Sequence, residues 1–304
     1  MSSKLRAEWA LVCGVGAAVL LTTAEPARAY TAAGDRLFPA TLLLPQITPG
    51  DEFYFNLFSL PLTPNGPGGF SHNINLTTTV QKTITERLGV TLEETWADLG
   101  HAGGKDSYGW QNFETGLKYV AILDQPHEFV FTLGADREFG GTGAVRAAAS
   151  PSGATTPEFF FGKGFGDLGI GYLRPLAVTG NLGYQFADTR PRPDQVVGGL
   201  AVEYSIPYLE SKVVSLDLPE FMRSITPITE MQFTTPGSRS FGARTNALFA
   251  PGVSYAGEGW EVAVEGLVPA TRATGRGFGV TAQFHLSLDF IMPESVGRPL
   301  LSGM

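Results

Sequence analysis

The stretch GRGFGVTAQFHLSLDF, residues 275–290, alternates almost without error. Val280, Ala282, Phe284, Leu286, Leu288 and Phe290 fall on one face, and Thr281, Gln283, His285, Ser287 and Asp289 on the other. A period of two is the signature of a strand with one apolar and one polar side. The pattern recurs. Leu176, Val178, Leu182, Tyr184 and Phe186 oppose Thr179, Asn181 and Gln185; Leu200, Val202 and Tyr204 oppose Glu203. Trp260, Val262, Val264 and Val268 oppose Glu261 and Glu265, Leu88, Val90 and Leu92 oppose Glu93, and Leu117 and Tyr119 oppose Glu114 and Lys118. The spacing predicts strands over 51–60, 72–83, 84–96, 110–122, 127–138, 157–165, 172–187, 195–206, 223–235, 244–256, 259–269 and 277–290. Only 207–222 could hold a short helical turn.

Either a soluble sandwich or a lipid-facing barrel produces this alternation. The runs are about 10 to 14 residues, longer than an ordinary strand and suited to a tilted membrane crossing. Connections alternate between long loops and tight turns, the pattern of an outer-membrane barrel with both termini in the periplasm. Aromatics gather at the ends of the apolar faces, with Tyr204, Tyr255, Trp260 and Phe290 at one edge and Tyr184, Phe186 and Phe278 at the other. These are the expected lipid-interface aromatics. Charged residues make up only 16% of the chain, too few for a soluble surface of this size. Hydrocarbon offers no hydrogen bonds, so strands can cross it only if their ladder closes on itself. The expected fold is therefore all-β: a transmembrane antiparallel up-and-down barrel of about twelve strands.

The chain opens with Lys4 and Arg6, an apolar run from Ala10 to Leu21, and then Ala27-Arg28-Ala29. That sequence reads as a signal peptide over 1–29, too short to span a membrane. The expected organisation continues with an N-terminal periplasmic segment over 30–50, the barrel over 51–290 and a C-terminal periplasmic tail over 291–304. Cys13, the single cysteine, lies in the leader, so the mature protein has no cysteine chemistry. A net charge of −8 without a basic cluster argues against nucleic acid as a partner.

Motifs for chemistry are weak. Gly164–Gly169, GFGDLG, fits G-x-G-x-x-G, but an alternating strand follows where a dinucleotide site needs a helix. A tight turn is expected there, and no cofactor. The four histidines show no metal-ligand spacing. His285, Ser287 and Asp289 share one face at steps of about 7 Å, too far apart for a nucleophile and its base to touch. The expected lumen-lining residues are Glu93, Glu114, Lys118, Glu203, Glu230, Arg244, Glu261, Glu265, Gln283, His285 and Asp289. Mostly acidic, they would either give a pore wall a negative field or bond to inward cations such as Arg87 and Lys118.

FFFGKGFGDL, LRPLAVTGNLGY, VEYSIPYL, TPITEMQF, PGVSYAGEGWEVAVEGLVP and AQFHLSLDFIMPESVGRPL resemble phrases of the "meta-pathway of phenol degradation" outer-membrane transporter family. The resemblance covers most of the chain after the leader and rests on structural phrases. It implies a barrel of about a dozen strands, in the Gram-negative outer membrane, moving small and in part hydrophobic or aromatic solutes. Its partners would be outer-membrane lipid, the solute and the barrel assembly machinery. One departure is the continuation past Phe290, where many such chains end on an aromatic. The alternatives are a barrel enzyme acting on lipid or lipopolysaccharide through His285, Ser287 and Asp289, and an adhesion barrel working through its long loops.

Overall fold

The computed structural model describes residues 31–62, 69–190, 192–238 and 244–301. The expected leader and Cys13 lie outside the described residues. Each alternating run forms a strand. A small hairpin comes first, β1 (Thr31–Ala33) with β2 (Arg36–Phe38). There follow β3 (Glu52–Pro61), β4 (Phe70–Thr83), β5 (Leu88–His101), β6 (Ser107–Trp110), β7 (Glu114–Asp124), β8 (Phe129–Glu138) and β9 (Ala154–Gly164). The rest are β10 (Leu176–Ala187), β11 (Gln195–Tyr204), β12 (Ile225–Pro236), β13 (Asn246–Ala256), β14 (Trp260–Pro269) and β15 (Gly279–Ser287).

Among the described residues twelve strands close into an antiparallel barrel, each paired with its sequence neighbour. Closure is made by the last strand on the first, with Ser287 opposite Glu52 and Val280 opposite Ser59. β6 and β7 are two parts of one crossing. β5 pairs Trp96 with Trp110 and Glu93 with Glu114, which leaves three residues facing two and makes a bulge over 111–113.

The wall is turned inside out relative to a soluble protein. On β14, Val262 and Val264 are each 45% exposed, whereas Glu261 and Glu265 are each 1% exposed. Leu92, Leu117, Leu182, Val202 and Phe284 are likewise exposed, while Lys118, Glu203 and His285 are buried. The apolar face of residues 275–290 thus looks outward and the polar face inward. Such a belt, about 25 Å tall, is what lipid requires.

Several expectations are corrected. GFGDLG does contain a tight turn, with Leu168 N–H donating to Phe165 O at 3.1 Å, but it belongs to a longer connection over 165–175 with a helical turn over Gly171–Leu173, and β10 begins only at Leu176. Arg87 is exposed in the turn before β5. Arg244 is exposed ahead of β13, in the loop after β12, and contributes nothing to the lumen. β15 stops at Ser287, and Leu288–Ile291 form a short helix, so Asp289 and Phe290 leave the wall. Both are exposed, Phe290 lying over Gly259 of the turn between β13 and β14. The remaining interface aromatics keep outward positions near strand ends. Tyr184 packs on Phe186 and Tyr255 on Trp260, while Tyr204 donates to the Tyr172 carbonyl and Phe278 is exposed just before β15.

The largest correction concerns the segment before β3. Expected outside the barrel, it instead buries Phe38, Ala40, Leu42, Leu44 and Ile47 and bonds to inward side chains of five barrel strands. It runs through the lumen. The tail after the final helix bonds with Leu300 N–H to Thr83 and Leu301 N–H to Ile84, at the end of the barrel with the short turns.

Val264 sits mid-strand between Val253 and Ala282 and faces outward. Val264→Arg is expected to lower stability by about 2–4 kcal/mol, as for a cation at the bilayer midplane, when unfolding is measured in lipid vesicles. Thr281→Ser, on the inward face, should change it far less.

Candidate functional site

The lumen is organised around one carboxylate. Glu230, on β12 and fully buried, accepts the backbone N–H of Leu42 at 2.6 Å on one oxygen. Its other oxygen accepts those of Leu43 at 3.0 Å and Leu44 at 2.9 Å. Three consecutive N–H groups converging on one anion form a backbone nest, which offsets the cost of burying the charge. Side chains of β3, β12 and β15 hold the carbonyl side of the same loop. Asn56 Nδ2 donates to Leu42 O at 2.9 Å, Gln232 Nε2 to Leu43 O at 2.6 Å and Gln283 Nε2 to Thr41 O at 3.1 Å. Lys118 Nζ donates to Gln46 O at 2.6 Å and lies 4.4 Å over the Phe160 ring. Glu261 accepts Ala40 N–H at 3.3 Å and the Ser254 hydroxyl. Two of the expected acidic residues, Glu230 and Glu261, therefore meet backbone donors of the chain's own N-terminal segment, a partner the sequence reading did not consider.

The segment is anchored at the short-turn end by Arg36, which is wholly buried. Its guanidinium donates to Glu128 Oε2 at 3.2 Å, to Pro175 O at 3.0 Å, to Leu176 O at 3.2 Å and to Arg174 O, and lies 4.1 Å over the Tyr208 ring. Tyr208 in turn donates to Glu128 Oε1 at 2.9 Å, and Gly166 N–H donates to Glu128 Oε2 at 3.0 Å. Burial and the Glu128 carboxylate push the Tyr208 phenol above its ordinary range, which keeps it a donor. The segment 165–175, the turn between β7 and β8 and the Tyr208 segment are thus tied into one seal.

Beside this plug lies a cavity of about 470 Å³. One wall is an inward ladder on β4: Asn73, Asn75, Thr77, Thr79 and Gln81. Another carries Glu93, Glu114, Lys118 and Asp136. Thr79 donates to Glu93 at 2.9 Å, and Thr77 and Thr95 share a hydrogen bond at 2.8 Å. Asn73 Oδ1, Asn75 Oδ1 and Gln81 Oε1 are buried and accept no hydrogen bond from the described residues. Toward the long-loop end the lumen turns apolar, where Leu60, Leu248, Ala250 and Leu267 pack with Leu43, Phe58 and Leu62.

The expected site residues divide accordingly. Glu230, Glu261, Gln283 and Lys118 hold the plug; Glu93 and Glu114 line the cavity; Glu203 and Glu265 are buried and inward. His285 stacks on Tyr54 at 4.3 Å, with Glu261 and Glu52 each 3.8 Å from one ring nitrogen. Its ring nitrogens form no hydrogen bond with Ser287, whose hydroxyl donates to Asp289 instead. The Asn, Thr and Gln ladder was missed, although its alternation with Ile74, Leu76 and Val80 was visible in the sequence.

No protein-family model matches the chain, and no curated protein does. Solved structures match by fold. An outer-membrane channel from Pseudomonas putida F1 superposes with a TM-score of 0.52 at 11% identity, over 83% of this chain and 99% of that one. The fold is that of a Gram-negative outer-membrane barrel. The KdgM porin gives a TM-score of 0.46 at 14% identity, over 78% of this barrel's chain and 98% of its own. The toluene transporter TbuX of Ralstonia pickettii gives 0.39 at 12% identity, over 85% and 95% respectively.

Glu230→Ala would strand three N–H groups, at about 1.5–3 kcal/mol for each bond to a charged acceptor. In a Leu43→Cys background, Glu230→Ala is therefore expected to speed maleimide labelling of the cysteine at least tenfold. Equal labelling rates would mean that Glu230 does not hold the loop.

Proposed function

We propose that this barrel is an outer-membrane channel for small polar solutes, narrowed by its own N-terminal segment. The observation that carries this reading is the ladder Asn73, Asn75, Thr77, Thr79 and Gln81 along the cavity, three of whose oxygens are buried and lack a donor among the described residues. Buried polar atoms without partners are costly unless water or a solute meets them. A row of amides and hydroxyls offers donors and acceptors in sequence to a hydroxylated molecule passing the plug. The carboxylates Glu93, Glu114 and Asp136 share one wall of the cavity with Lys118, so that wall carries mixed charge weighted toward the negative. Such a lining favours neutral and cationic solutes over anions.

A second reading follows from the apolar cluster of Leu60, Leu248 and Leu267. It would suit a hydrophobic or aromatic solute, the class implied by the resemblance to the phenol-degradation transporters. The two readings differ in what the plug does: a polar path runs beside it, whereas an apolar solute pausing on Leu43 needs it to move. The lumenal His285 belongs to the structural support of Tyr54 in either case, and catalysis enters neither.

Reconstitution in liposomes separates them. Swelling in neutral sugars is expected for the intact chain, and removal of residues 31–47 should raise single-channel conductance several-fold. Permeability to toluene or phenol without permeability to sugars would favour the second reading. A chain that conducts nothing with or without residues 31–47 would end the channel proposal.

A further inference from the structure

Three potential metal ligands meet on the outward face of the wall, away from the lumen. His72 Nδ1 or Nε2 and one carboxylate oxygen each of Asp98 and Asp106 lie within 4.8 Å of one another. The register explains the convergence. β4 pairs His72 with Gly100 and Ile74 with Asp98, and β6 pairs Tyr108 with Asp98 and Ser107 with Leu99. Asp106, immediately before β6, therefore stands across Gly100 from His72, and Asp98 lies two residues along β5 on the same face. Gly100 is the gap in the middle of the row: a Cβ there would collide with the His72 ring. The neighbouring inward residues Asn73 and Asn75 line the cavity, so this row points the other way, above the exposed Tyr108 and Trp110.

None of the three groups is accounted for by the protein. No hydrogen bond or ion pair engages His72, Asp98 or Asp106 among the described residues, and Asp98 Oδ1 is both shut off from solvent and without a donor. Two carboxylates held this close to one another repel, and a buried carboxylate oxygen lacking a donor is costly. The loop that supplies Asp106 is fastened independently: His101 Nε2 and Ser107 Oγ lie 2.8 Å apart, and Ala102 N–H donates to Gly69 O at 2.9 Å.

We propose that His72, Asp98 and Asp106 bind one divalent transition-metal ion of the Zn²⁺ type, tying β4 to β6 across β5. One nitrogen and two carboxylate oxygens suit a borderline ion, whereas Ca²⁺ and Mg²⁺ prefer oxygen alone. Donors bound to one tetrahedral zinc ion at about 2.0–2.2 Å lie about 3.4 Å apart, so closing three donor atoms that lie within 4.8 Å of one another takes a shift of up to about 1.4 Å. The exposed Asp106 can supply it. Three protein ligands leave a fourth position for water or another oxygen donor.

The test uses the tag-free chain in detergent micelles, with Zn²⁺ as the probe in calorimetric titration. One saturable equivalent per chain is expected, with no displacement by equimolar Ca²⁺. Loss of an outer-sphere partner alone weakens metal sites by about 10–100-fold, so His72→Ala and Asp106→Asn should each weaken binding at least tenfold. Asp106 lies in an exposed loop, and heat-modifiable gel migration confirms that its variant is folded. Gly100→Ala, which fills the gap without removing a ligand, should also weaken binding. The proposal is overturned if the intact chain shows no saturable binding, if Ca²⁺ displaces Zn²⁺ at equal concentration, or if the folded Asp106→Asn variant binds as the intact chain does.

Discussion

A backbone amide in hydrocarbon has no partner other than another backbone group, and every feature of this molecule follows from meeting that requirement. The pairing of β15 with β3 removes the last sheet edge, at the cost of joining segments more than two hundred residues apart. Once the ring is shut, one face of every strand must satisfy lipid and the other an enclosed space. That enclosed space is too polar to be left dry and too large to be filled by wall side chains alone. Glu230 and Glu261 reach inward and bind the N–H groups of a segment that has no strand of its own to pair with. The same rule that closes the wall outside is thus met inside by carboxylates instead of a ladder.

The wall was legible from alternation because each residue there faces one of only two environments. The twelve expected runs correspond to the twelve crossings, and Glu203, Glu261, Glu265, Gln283 and His285 lie inward as their parity requires. What failed was whatever lay off the strands. Arg244 and Asp289 were assigned faces by extending a period past the point where pairing stops. The plug was invisible for a different reason. Its buried residues Phe38, Leu42, Leu44 and Ile47 have no fixed period, and Pro39, Pro45 and Pro49 break any regular element. Its place is set by partners far along the chain, Glu128 for Arg36 and Glu230 for Leu42 among them.

The short-turn end has its own economy. Arg36 of β2, Glu128 of the turn between β7 and β8 and Tyr208 after β11 meet here: the Arg36 guanidinium satisfies the carbonyls at 174, 175 and 176, and the Tyr208 hydroxyl donates to Glu128. The connection over 165–175 is longer than a hairpin because it must wrap this guanidinium, and Gly166 lets its N–H approach the Glu128 carboxylate closely. Removing one partner from such a buried pair leaves an uncompensated charge, which costs more than the pair contributes when intact.

The plug also imposes an order on assembly. Leu42 emerges early in synthesis, yet Glu230 lies 188 residues later, and Gln283 lies 242 residues after Thr41. The loop can find its acceptors only after β12 to β15 exist, while the ring it must enter is sealed by β15 reaching back to β3 at the loop's own C-terminal end. The loop's contacts therefore form no earlier than the strands that supply its acceptors, and contacts of such long sequence separation are slow to form. A chain of this design cannot finish its interior before its last strands are in place.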